Sequence, residues 1–549
     1  MMRRLVRRTR RPNGGEDGIA MIMVMGSILV LSLLVTAALG YSLQALPQSR
    51  HDQNWNASLA AAQAGVDDYI ARLNQSDSYW STVDCANPAL KGGKTGTNTC
   101  GWTTSTTPGW QSVAPLNASQ GTFHYDVDTS GLSASGVVRV TSTGKVGNAS
   151  RTIQVLVSRG GSTDFLYYTD FEDADPANTT VYPTGPASNA CGKAGPTSAS
   201  YWWPSTRSGC TEITFIGGDV LDGKVHLNDT PLVTFLNSKQ PKFVQGYETS
   251  DPACSGGTSA NGWAGCWRGT GGPDVNGTSA KYAAVKYLPD NSNAFLSYPG
   301  CQYTGDTRIK FNAPGTMTVW SYGSAGTTLA PGCGNPAGPW PQTLSVPTDQ
   351  VIYIKASATQ TKCATGAVGD GLPVANDVNV NEPTFYCGSG NAYIQGTLTG
   401  RLTVAAQNNI VVTDDLLLNG VAAGSPPSGP NLLGLVASNS VVTYHPVDNS
   451  GNNLSAATTD VWIYASIQTL QHSFWVQSYD QGSPLGTLHV RGSIAQKWRG
   501  IVGQGSGTHG FFKDYSYDSR LTFSSPPYFP QWQNAVWGAK TTAELSPAY

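Results

Sequence analysis

Residues 19–41 (IAMIMVMGSILVLSLLVTAALGY) contain no charged side chain, and the charge-free run continues to Arg50. As a helix, 23 residues reach about 35 Å, enough to cross a hydrocarbon core of about 30 Å. Arg3, Arg4, Arg7, Arg8, Arg10 and Arg11 precede the run. The positive-inside rule keeps the basic residues 1–18 in the cytoplasm and sends the rest outside. A cleaved secretory signal would have an apolar stretch of about 7–15 residues ending at a small-x-small site. Here the run is longer, and Ala38-Leu39-Gly40 is a poor site. The expected location is therefore the cell membrane, in contact with lipid, crossed once, with the bulk of the chain extracellular.

The cysteines agree with export. There are ten, all from Cys85 onward, an even number as expected for disulfides in an oxidising compartment. Nearest-neighbour pairing gives Cys85–Cys100, Cys191–Cys210, Cys254–Cys266, Cys301–Cys333 and Cys363–Cys387, although spacing alone leaves other connectivities open. With 39% apolar and 10% aromatic residues, the chain can build a core and is not a disordered polyelectrolyte. Beyond the six leading arginines, 27 basic residues face 35 acidic ones, so the exported part lacks the basic stripe that nucleic acid requires.

After the apolar run, Trp55, Leu59, Ala62, Val66, Tyr69 and Leu73 recur at alternating four- and three-residue spacings. They make one apolar helical stripe, opposite Asn56, Gln63, Asp67 and Arg72. The pattern predicts nearly continuous helix over 19–74, with Pro47 a point for a kink. TFHYDVD, VVRVTST and RTIQVLVSR then alternate apolar and polar residues, with turn chemistry at residues 144–148 (GKVGN). Three antiparallel strands of this kind can cover the stripe.

A basic leader ending in Gly18, an apolar helix whose second half turns amphipathic (AAAQAGVDDYIARLN) and a following meander resemble the minor pilins of type IV pilus systems, over about residues 10–160. The likeness is greatest to the group whose apolar segment lacks the usual glutamate. The resemblance implies a prepilin peptidase as partner, cutting between Gly18 and Ile19, and other pilin subunits packing on the N-terminal helix. At the fifth mature position the family usually has Glu; here it is Met23. A buried charge without a partner is costly, so its loss is tolerable, but it departs from the pattern of a major-filament subunit.

The remainder reads as all-β. Residues 161–390 are rich in Gly, Pro, Ser, Thr and Asn and predict irregular strands with long loops held by cross-links. From 391 to 525, short apolar runs separated by Gly, Asn and Asp suit a parallel β-solenoid, with a β-sandwich as the competing architecture. Residues 526–549 read as a tail. The expected fold class is thus α+β followed by all-β: leader 1–18, membrane helix 19–41, amphipathic extension 42–75, antiparallel sheet region 76–160, loop-rich β region 161–390, solenoid-like region 391–525 and tail. Passages such as GGDVLDGKVHLND and LGTLHVRGSIAQKWRG also resemble a domain found behind pilin-like N-termini in large bacterial surface proteins, over roughly 165–530. That likeness implies architecture and location, not chemistry.

Catalytic signals are weak. Asp414 and Asp415 are adjacent, so as strand residues they point to opposite faces. Asp219, Asp222, His226 and Asp229 form a group whose Gly-Asp and Asn-Asp steps suit turns. Asp170, Glu172, Asp173 and Asp175 crowd a second passage. No nucleophile elbow, Walker loop or His-Glu-x-x-His occurs. Asp126 and Asp128 begin a calcium-like loop, but its twelfth position is Val137 instead of Glu; Asp377 and Asn379 offer further oxygens. Trp202, Trp203, Trp263 and Trp267 lie in loops, where rings can stack on sugars, anchor a partner or plug a small core.

The expected function is a non-enzymatic minor or tip subunit acting in pilus assembly or surface adhesion, without a cofactor, with a surface glycan or neighbouring-cell ligand as candidate partner. The alternatives are a surface-anchored solenoid polysaccharide lyase or hydrolase, and a pseudopilin of a secretion machine.

Overall fold

The computed structural model describes residues 17–93, 99–103, 105–114, 120–175, 201–203, 212–257, 265–504 and 507–549. Helix α1 (Asp17–Gln75) contains Pro47 within its length. Its second half buries Ala61, Ala62, Val66, Tyr69 and Leu73 on a small sheet. Trp55, expected on the buried stripe, is instead 42% exposed, with the Arg151 guanidinium 5.1 Å from its ring centre. The physical reason is length: the hairpin turn at Gly147 lies level with Asn54, so the strands end where the stripe begins.

The sheet has five antiparallel strands in the spatial order Gln111–Ser112, Thr122–Asp128, Val138–Val146, Ala149–Arg159 and Trp537–Leu545. The expectation of a tail over 526–549 is thereby corrected. Trp537 N–H donates to Asn74 Oδ1 (2.7 Å), and Asn74 Nδ2 donates back to Trp537 O (3.1 Å). Within this strand only Trp537 is buried, so it lacks the apolar alternation by which strands are read. The whole body, residues 160–536, is an insertion between the fourth and fifth strands of this sheet.

Two long ladders of parallel strands run side by side through the body. The first, among the described residues, has the spatial order Lys281–Tyr282, Glu248–Thr249, Val225–Leu227, Tyr167–Ala174, Pro484–Arg499, Ser466–Thr469, Leu432–Ala437, Arg401–Ala406, Gln350–Lys355 and Gly300–Thr304. The second runs from Lys242–Phe243 through Val220–Asp222, Gly510–Tyr517 and Pro484–Arg499 to Trp462–Ile463, Ile410–Leu418, Ala392–Leu398 and Thr307–Asn312. There an antiparallel pair, Thr316–Trp320 and Gln342–Ser345, covers its edge. Inward side chains such as Leu221, Ile352, Leu435, Ile467 and Val490 are fully enclosed between the ladders.

Spatial order and chain order differ. The chain enters in the middle at Tyr167–Ala174, advances to one end at Lys281–Tyr282, and crosses to the other end in residues 283–299. It then winds back until Pro484–Arg499 pairs with the entry strand. The crossing segment is tied down on its way. Asn228 Nδ2 donates to Lys286 O (2.6 Å), Gln471 Nε2 donates to Asp290 O (3.1 Å), and Phe295 stacks on Tyr353. The boundary expected at 390/391 does not separate two sheets, because strands from both regions share the same ladders, the later ones lying as a block between the earlier ones.

Where the late strands meet the early ones, two ion pairs are enclosed. Arg499 Nη1 donates to Glu172 Oε2 at 2.6 Å, both side chains being wholly buried, and Lys513 Nζ donates to Asp219 Oδ2 at 2.8 Å. The guanidinium also lies over the ring of Phe215. Burial pushes the Lys513 ammonium below the usual lysine range, and the charge of Asp219 opposes that. In each pair the cation comes from the late strands and the carboxylate from the early ones.

Candidate functional site

The first candidate is the face that helix α1 leaves uncovered. The side chains of residues 19–42 are exposed throughout, Ile22 at 69% and Met23 at 71% among them. Soluble monomers rarely expose contiguous apolar patches beyond a few hundred Å², and larger ones mark membrane or partner contact. Two hydroxyls in the run turn back to the helix: Ser27 Oγ donates to Val24 O (2.9 Å) and Thr36 Oγ1 to Ser32 O (2.8 Å). These two then need no water as partner, which suits a hydrocarbon environment. Among the described residues, this is the one helix long and apolar enough to cross a membrane. Gly18 and Ile19 lie in its first turn, with Ile19 exposed.

The loop aromatics are held by the body. Trp202 N–H donates to Asp229 Oδ1 (2.6 Å), and the Arg268 guanidinium lies 3.9 Å from the centre of its ring. Trp203 Nε1 donates to Asn228 O (3.0 Å), and its ring stacks on Tyr201. Trp267 packs against the core, and Trp263 lies outside the described residues.

Among the described residues, the two acidic passages meet in one buried network, in which protein groups engage the carboxylates. Asp219 serves Lys513, Asp222 is exposed, and Asp229 accepts from the backbone of Glu172, Trp202 and Thr230. His226 is buried, with Nδ1 2.6 Å from Glu248 Oε1 and Nε2 2.9 Å from Asn228 Oδ1, and it stacks on Tyr168. Asp170 accepts from Tyr201 Oη (2.6 Å) and Asn228 Nδ2 (2.8 Å), while burial pushes its carboxyl above the usual range. Asp175 lies 2.7 Å from His472 Nδ1. Asp414 accepts from the backbone of Asp415, which itself accepts from the backbone of Trp462.

The calcium candidates are also engaged by protein donors. Asp126 accepts from Tyr549 Oη (2.8 Å), and Asp128 accepts from Ser130 and Arg139. Asp377 caps the short helix Val378–Asn381, accepting from both nitrogens of Asn379 and from Tyr444 Oη.

Four expected disulfides are present: Cys85–Cys100, Cys254–Cys266, Cys301–Cys333 and Cys363–Cys387. Cys191 and Cys210 lie outside the described residues. Among the described residues, Asp306, Cys363 and Cys387 form the one cluster of metal-ligating residue types, but its sulfurs are bonded to each other. A thiolate must be free to ligate a metal.

Sequence reasoning missed the enclosed cations. Lys513 was legible in principle, because it sits between Phe511 and Tyr515 on the inward parity of its strand.

No family model matches the chain, and no curated protein does. Among solved structures it is similar to the competence-associated pilin ComZ from Thermus thermophilus, with 11% identity and a TM-score of 0.26 over 90% of this chain and 97% of that one. A likeness of that degree carries no weight.

Proposed function

We propose that the chain is a membrane-inserted, pilin-like minor or tip subunit of a type IV pilus-like system, acting in assembly or surface adhesion without enzymatic activity or a cofactor. One observation carries this reading: a single helix whose exposed apolar first half runs directly into a second half seated on an antiparallel sheet. Such an element can rest in the bilayer and later exchange lipid for the helices of neighbouring pilin subunits. Cleavage by a prepilin peptidase between Gly18 and Ile19 would leave Ile19 as the first residue. N-terminal sequencing of the membrane-extracted protein tests this. A start at Ile19 supports the reading; an intact Met1, or a start near Tyr41, overturns it.

The body favours a tip or low-abundance position. Its neighbours in the ladders are parallel, whereas β-sandwiches are built from antiparallel sheets, so we read it as a β-solenoid. An insertion of that size is difficult to stack at every filament position. Immunogold labelling of filaments is expected at ends or sparse points, and uniform labelling would count against the assignment.

A further inference from the structure

Between the small sheet and the body lies a cleft of about 680 Å³, within the range typical of ligand sites. Trp80 and the ion pair Asp77–Arg159 (3.1 Å) line it from the sheet side. The body contributes Tyr298 and Tyr528, stacked with ring centres 4.5 Å apart, together with Gln531 and Gln533.

Three features set this cleft apart from ordinary domain packing. First, Trp80 is 39% exposed although it follows the buried end of helix α1, and its indole Nε1 donates to nothing among the described residues. Second, the hydroxyls of Tyr298 and Tyr528 and the side-chain amides of Gln531 and Gln533 likewise make no hydrogen bond among the described residues. Third, Tyr528 has φ of +53°, a left-handed conformation uncommon for a bulky residue, which persists only when the surroundings enforce it. Its N–H donates to Ser133 O across the cleft (3.2 Å), which ties its backbone to the sheet side.

Flat apolar faces edged by unpartnered hydroxyls and amides match the surface of a sugar, whose rings offer C–H faces and hydroxyl edges. The charge at the cleft is balanced, since Asp77 and Arg159 neutralise each other. We propose that the cleft between the sheet and the body is a binding site for a short, uncharged oligosaccharide, stacked on Trp80 and the Tyr298–Tyr528 pair and hydrogen-bonded by Gln531 and Gln533. This goes beyond the pilin-like reading and does not depend on it, because it rests on the cleft alone.

The test uses the full chain in a zwitterionic detergent, since glycosidic detergents would compete. Cellotetraose, chitotetraose, mannotetraose and, as an anionic comparison, tetragalacturonate are titrated by calorimetry and tryptophan fluorescence. At least one neutral tetrasaccharide is expected to bind and to perturb tryptophan emission. Trp80→Ala and Tyr298→Ala should each weaken that binding roughly tenfold or more, the loss of about one stacking contact. Tyr298→Phe, which keeps the ring, should stay within about threefold of the parent. Thermal melts verify folding, and Trp80→Ala decides alone should Tyr298→Ala fail to fold. The proposal is overturned if no neutral tetrasaccharide binds, if the alanine variants bind like the parent, or if tetragalacturonate binds more tightly than every neutral sugar.

Discussion

Arg499 and Glu172 are fully enclosed, so neither can be removed without stranding the other. Leaving one buried charge unpaired typically costs about 3–5 kcal/mol, whereas replacing both partners by apolar groups is often neutral. Arg499→Met is therefore expected to lower stability by about that much, and Arg499→Met with Glu172→Met to recover most of it. A double-mutant cycle in denaturant checks both. Asp306 supplies a pH-dependent case. Burial pushes its carboxyl up to about 6 from the usual 3.8, although Asn391 and the Gly390 backbone donate to it. Because the folded value is the higher, this contribution is fully present below about pH 4 and lost as pH rises through 6. The melting temperature of the parent minus that of Asp306→Asn should therefore fall between pH 4 and 7, and a flat difference would refute the assignment. Neither residue announces itself in the sequence: Asp306 sits in a Gly-Asp step that reads as a plain turn, and the groups that donate to it lie more than 80 residues away.

Helix α1 and its sheet were the most legible elements, since amphipathic spacing and strand alternation are local signals. What could not be read was how closely they approach. A Cβ at Gly144 would lie 2.1 Å from Ser58 O and 2.2 Å from the backbone nitrogen of Ala62, so backbone meets backbone at this crossing. Gly144→Ala must push the helix off the sheet, and overpacking of this kind costs about 1–3 kcal/mol. Thermal unfolding of the full chain measures it, and an unchanged midpoint would show that the helix slides freely. The fifth strand was illegible for the opposite reason. It is an edge strand with one inward anchor, Trp537, and a double ion-paired contact between Glu544 and Arg151. Trp537→Ala is expected to cost about 3–5 kcal/mol and to raise protease cleavage in residues 538–549, read by mass spectrometry.

At the scale of the whole molecule, short strands and turns were visible in the sequence from residue 391 onward, but their order in space was not. Parallel pairing joins segments far apart, such as Tyr167–Ala174 with Pro484–Arg499, and no local pattern encodes which strand finds which. The resulting seam makes a prediction that a simple start-to-end stack would not. A chain truncated after residue 483 should become protease-sensitive at residues 165–175 as well as near the cut, because the entry strand then has an open edge. Cleavage confined to the new C-terminus would argue against the seam. The placement of the entry strand also governs timing. Tyr167–Ala174 precedes Pro484–Arg499, the segment destined to lie against it, by more than 300 residues, so that seam cannot lock until nearly all of the chain is available. Delay is thus written into the connectivity.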